Sequence, residues 1–191
     1  AVARNKLARL LARLQPEVLR DQADLIRRKI SSSGDAGLKS GLYGALVTIG
    51  QVESAEQLAE KSEADRQAFL MGIRFSNNGP IRNSLHGRVL GELSRKSNRQ
   101  NGNTKRAAIE TLASIEAEKE KSFDAIAKLA PRKAFKTVAI QALLKTPARF
   151  RPPETSRNLA VELIKQAEAT PAKDRTSTPF TDAANLADQL L

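Results

Sequence analysis

Along most of the chain apolar residues return every three or four positions, the period of a helix with one buried face. From Ala3 to Leu14 they are Leu7, Leu10, Leu11 and Leu14. Pro16 stands where a second helix begins, and Val18, Leu19, Ala23, Ile26 and Ile30 carry its stripe to a break at 31–34. Asp35 is placed to cap the next helix, which runs through Leu38, Leu42, Leu46 and Ile49 to Gly50. The spacing predicts further helices at about 53–61, 63–76, 80–96, 104–116, 119–129, 132–146, 153–169 and 178–191. Asn77-Asn78-Gly79-Pro80 and residues 97–103 read as loops, and Pro147, Pro152, Pro153 and Pro171 interrupt the last third at helix boundaries. Nothing alternates with period two for the length of a strand. The expected class is all-α.

The helices repeat. Aligned on Leu46, Ile73, Leu112 and Leu143, the second helices of successive pairs carry Tyr43, Leu70, Ile109 and Ile140 three positions earlier, all apolar. One position before each anchor stand the small residues Ala45, Gly72, Thr111 and Ala142. Seven positions before stand Lys39, Arg66, Lys105 and Lys136, all basic. The apolar slots make a buried stripe, the small slot admits a neighbouring helix, and the basic slot falls two turns back near the corner of each pair. On this alignment Leu46, Ile73, Leu112 and Leu143 are core residues.

This pattern resembles HEAT repeats, whose second helix carries an acidic residue, a basic residue and an Ala-Leu element in that order. "DAGLKSGLYGALVTIG" (35–50) offers Asp35, Lys39 and Ala45-Leu46, and "NTKRAAIETLASI" (103–115) keeps the basic and apolar elements. The acidic slot is Ser62, Asn101 and Arg132 in the other pairs. The resemblance implies a right-handed α-solenoid of about five antiparallel helix pairs, a HEAT/ARM-like superhelix, as a single domain over 1–191. Prolines then mark the corners where each pair folds back.

Length and composition narrow this further. The chain has 191 residues and is 40% hydrophobic but only 4% aromatic, so Ala and Leu do most of the burying, which suits close helix packing. No apolar run approaches the length of a membrane span, and no membrane insertion is expected. Cysteine is absent, which excludes disulfides, thiolate metal sites and cysteine nucleophiles within these residues. The net charge of +11 is concentrated: residues 82–106 hold seven Arg/Lys against one acid, and 132–151 hold six against none. From these stretches Arg82, Arg88, Arg95, Lys96, Arg99, Lys105, Arg106, Arg149 and Arg151 are candidates for contacting a polyanion or an acidic partner.

The C-terminal quarter, "ARFRPPETSRNLAVELIKQAEATPAKDRTSTPFTDAANLADQLL", resembles the end of the HEAT-like region in large exported bacterial multidomain proteins. Those proteins also carry sugar-dehydrogenase-like propeller, c-type cytochrome and cupredoxin-like modules. The resemblance implies a periplasmic or secreted spacer whose partners are neighbouring domains of a parent chain or another protein.

No sequence signature for chemistry competes with that expectation. His86 is the sole histidine, which leaves no second imidazole for a metal site or dyad, and its spacing places it on a helix surface. Glu116 and Glu120 stand four apart among lysines and read as a solvated, ion-paired helix face. No phosphate-loop, dinucleotide-binding, metalloprotease or nucleophile-elbow pattern occurs. Phe150 between Arg149 and Arg151 reads as a loop anchor with both arginines outside. The expectation is a non-enzymatic scaffold without a cofactor, its nucleic-acid binding at most non-specific. The alternative is a nucleic-acid-binding HEAT-like module, similar in architecture to alkylpurine DNA glycosylases. That class needs exposed aromatics and a catalytic acid, whereas this chain lacks Trp and puts Tyr43 at a core position.

Overall fold

The computed structural model describes residues 10–12, 14–95 and 102–191. Every regular element among them is helical. The first predicted helix, Ala3–Leu14, lies mostly outside the described residues, as does most of the predicted loop at 97–103. The chain divides into two compact units, Ala1–Ala117 and Glu118–Leu191.

The first unit runs α1 (Pro16–Asp21), α2 (Ala23–Ser32), α3 (Ala36–Thr48), α4 (Val52–Ala59), α5 (Glu63–Phe75), α6 (Gly79–Ser84), α7 (His86–Ser94) and α8 (Gly102–Ser114). Two of these helix starts, those of α3 and α5, show capping chemistry. Asp35 accepts from the Leu38 amide at 2.9 Å, and Ser62 accepts from Asp65 at 3.0 Å while its hydroxyl donates to the Asp65 carboxylate at 2.7 Å. Gly50 ends the α3 region with φ +81°, the left-handed conformation that glycine tolerates. Two predicted helices are each two: the chain breaks at Gln22 and at Leu85, and neither break carries glycine or proline.

Helices α3, α5 and α8 touch in succession, and each also meets a preceding helix: α2 on α3, α4 on α5, α7 on α8. The seam between α3 and α5 is the tightest. A Cβ on Gly72 would stand 2.7 Å from Gly44 N and 2.8 Å from Ser40 O, so only hydrogen fits there. The small slot therefore does what its size predicts. Thr111, fully buried, brings its Oγ1 within 2.7 Å of Ala107 O in its own helix and 2.9 Å of Leu70 O in α5. Thr48 does likewise in α3, with Oγ1 2.8 Å from Gly44 O, 3.1 Å from Ala12 O and 3.0 Å from Ser76 Oγ. These two hydroxyls satisfy themselves on helix carbonyls, which lets Thr48 and Thr111 sit in the core without an orphaned hydroxyl.

The second unit runs α9 (Lys119–Ala127), α10 (Lys136–Leu144), a 3-10 turn at Ala148–Phe150, α11 (Pro153–Glu168), a second at Ala172–Asp174, and α12 (Thr178–Leu190). Helix α9 meets α10 and α11 meets α12, while α10 touches α12 and α9 touches α11. Helix α10 starts four residues later than the spacing predicts, because 132–135 form turns. The four aligned anchors are buried, Leu46 and Leu143 at 0% exposure and Ile73 and Leu112 at 1%. Tyr43, Leu70, Ile109 and Ile140 are buried with them.

Candidate functional site

Three of the four basic slots start from equivalent places. Lys39, Arg66 and Lys105 are each the fourth residue of α3, α5 and α8, and Lys136 is the first of α10. Two reach acids on other helices: Lys39 Nζ bonds Asp65 Oδ1 at 2.6 Å, and Arg66 Nε lies 3.9 Å from Glu92 Oε1. Lys136 Nζ donates to Gln166 Oε1 of α11 at 2.9 Å, and Lys105 is buried. Asp35, the acid of the resemblance, caps its own helix. The acid that meets Lys39 is Asp65, one position before the next basic slot.

Burial pushes the Asp65 carboxyl up, but hydrogen bonds from Lys39 and Ser62 and the charges of Lys39 and Lys61 outweigh it and hold the carboxyl below its usual range. Tyr43 packs edge-on against Phe69 with ring centroids 5.8 Å apart. Burial, then the Asp65 charge, pushes the Tyr43 phenol above its ordinary value, so it stays protonated.

Most of the candidate cations are engaged by the fold. Arg82 donates from Nη1 to Ser76 O at 3.3 Å, at the C-terminal end of α5. Arg88 pairs with Glu56, Arg95 with Glu92 at 3.0 Å, and Arg106 approaches Asn103 Oδ1 at 3.3 Å. Lys96 and Arg99 lie outside the described residues. Arg149 is exposed, with its guanidinium 4.8 Å from the centre of the Phe150 ring, and Phe150 is half-buried. Arg151 is not simply outside: Nε donates to Thr146 O at 2.8 Å and Nη2 to Gln189 Oε1 at 3.0 Å.

Arg151 belongs to a device used twice. In Thr146-Pro147-Ala148-Arg149-Phe150-Arg151 and Thr170-Pro171-Ala172-Lys173-Asp174-Arg175, a helix ends two residues before the threonine and proline leads into a 3-10 turn. Pro147 has φ −57° and ψ 144°, Pro171 φ −57° and ψ 143°. The arginine five residues after the threonine returns to its carbonyl, Arg151 Nε to Thr146 O at 2.8 Å and Arg175 Nε to Thr170 O at 2.9 Å. A cation at these carbonyls also suits the negative end of the helix dipole. The shared T-P-A-x-x-R spelling was the available signal.

Other expectations shift with the helix breaks. His86 is 3% exposed rather than on a surface, because the break at Leu85 makes it the first residue of α7 and turns it inward. Glu116 precedes α9 and so shares no helix face with Glu120. Among the described residues no group of three or more His, Asp or Glu is placed to hold a metal ion. No described helix is long and apolar enough to cross a membrane.

Arg88 and Arg95 do line one concavity, a cleft of about 290 Å³ bounded by α4, α5 and α7. Arg66, Glu56 and Glu92 share its rim, and Phe69, Ile73 and Val89 its floor. No family model, curated protein or solved structure matches the chain.

Proposed function

We propose that the chain is a non-enzymatic helical-repeat scaffold, a HEAT-like right-handed solenoid of about five helix pairs that spaces domains or docks protein within a larger exported protein. One observation carries this reading: α3, α5 and α8 pack in succession through the same slots, with anchors Leu46, Ile73 and Leu112 buried and Gly72 and Thr111 at the seams. Stacked units that bury a face only against their neighbours are the physical basis of a repeat scaffold. The engagement of Arg82, Arg88, Arg95 and Arg151 by the protein's own acceptors also favours docking of protein over reading of nucleic acid.

The test is binding to several DNA and RNA sequences, intact and alkylated, across a salt series. A scaffold gives equal, weak affinities that fall steeply between about 50 and 200 mM salt. A preference of roughly 1,000-fold for one sequence or lesion establishes the nucleic-acid module instead.

A further inference from the structure

The cleft between α4, α5 and α7 contains a guanidinium, that of Arg66, with no hydrogen-bond partner among the described residues. The Arg66 side chain is only 18% exposed, and its closest charge, Glu92 Oε1, is 3.9 Å from Nε, beyond hydrogen-bonding distance. Glu92 is already the acceptor for Arg95 at 3.0 Å, and Glu56 is held by Arg88. The two arginines and two glutamates around Arg66 therefore neutralise one another. Glu60, also on the rim, is exposed and screened by water. The guanidinium opens onto the cleft, and its planar fork matches a carboxylate through two parallel hydrogen bonds. Below it the floor of Phe69, Ile73 and Val89 is apolar.

We propose that this cleft binds a carboxylate carried on a short apolar body, with its oxygens on Arg66 and its body against Phe69, Ile73 and Val89. The volume, about 290 Å³, lies at the small end of ligand cavities, so it admits a single apolar residue or a short acid. Two sources share that chemistry, a free short-chain acid and the C-terminal residue of a peptide. The proposal rests on the cleft alone and does not require the scaffold reading.

The experiment follows backbone amide resonances of the full chain during titration with N-acetyl-leucine, N-acetyl-leucinamide and hexanoate. At least one of the two acids shifts the amides of Ala59, Phe69 and Val89 in a saturable way, and the uncharged amide does not. Arg66→Gln weakens binding roughly tenfold or more, the scale of a lost charged hydrogen bond. Glu92→Gln removes the competing acid and tightens binding, a readout that survives if Arg66→Gln folds poorly. Tighter binding of N-acetyl-leucine assigns a peptide terminus, and tighter binding of hexanoate assigns a free acid. Equal response to the amide, no shift of the cleft amides, or unchanged affinity in either variant overturns the proposal.

Discussion

The two units join helices by opposite means. In the first, α3 and α5 approach until Gly72 meets the backbone of α3, and buried threonines bond across to neighbouring carbonyls. In the second, proline ends the helix and an arginine returns to the carbonyl it leaves exposed, at Arg151 and again at Arg175. One seam is sealed by removing side chain, the other corner by adding a long one. Close packing tolerates no extra atoms, whereas a part-exposed arginine shares its bonds with water. Substitutions should therefore cost more at the seam than at the corners.

The largest effect is expected from truncating an anchor of the seam. Leu112→Ala should lower unfolding free energy by ~2–5 kcal/mol, read by urea denaturation, since it opens a cavity at a residue 1% exposed. Gly72→Ala comes next, at about 1–3 kcal/mol, because its new Cβ stands 2.7 Å from Gly44 N and the helices must part. A neutral or stabilising result there would mean that helix propensity outweighs the close approach and that the contact is not tight. Thr111→Val should cost about 1 kcal/mol, the net worth of a hydroxyl bond in a core. At the corners, Arg151→Gln and Arg175→Gln should each cost about 0.5 kcal/mol, the low end for a hydrogen bond and less than any seam change. Equal losses at corner and seam would erase the contrast.

The Lys39–Asp65 pair adds a pH dependence. The folded Asp65 carboxyl is held below its usual range, so its contribution is present above the unfolded value of about 3.9 and is lost as pH falls through the folded value. Asp65→Asn should remove that part of the acid destabilisation, seen as a flatter unfolding midpoint below about pH 4.

Much of the first unit was legible because its determinants are local or periodic. The Asp35 cap, the turn at Gly50 and the buried anchors Leu46, Ile73 and Leu112 follow from spacing and side-chain type alone, as does Leu143 in the second unit. The breaks at Gln22 and Leu85 did not, since an apolar period continues through them without glycine or proline. The burial of His86 followed from the second break and was missed with it. The candidate cations were found by charge density, which counts charges but not acceptors. Arg151 looked available for a polyanion because its acceptors are a backbone carbonyl and Gln189, 38 residues away. Neither carries charge, so no charge pattern reveals them.

The central claim is that Arg82 and Arg151, bonded to carbonyls at helix ends, hold the fold rather than contact phosphate. It is tested by the salt dependence of binding to a DNA duplex, wild type against Arg82→Gln and Arg151→Gln. The account predicts the same slope of log affinity against log salt in all three proteins. A slope shallower by about 1 in either variant, the signature of one lost phosphate contact, would contradict it.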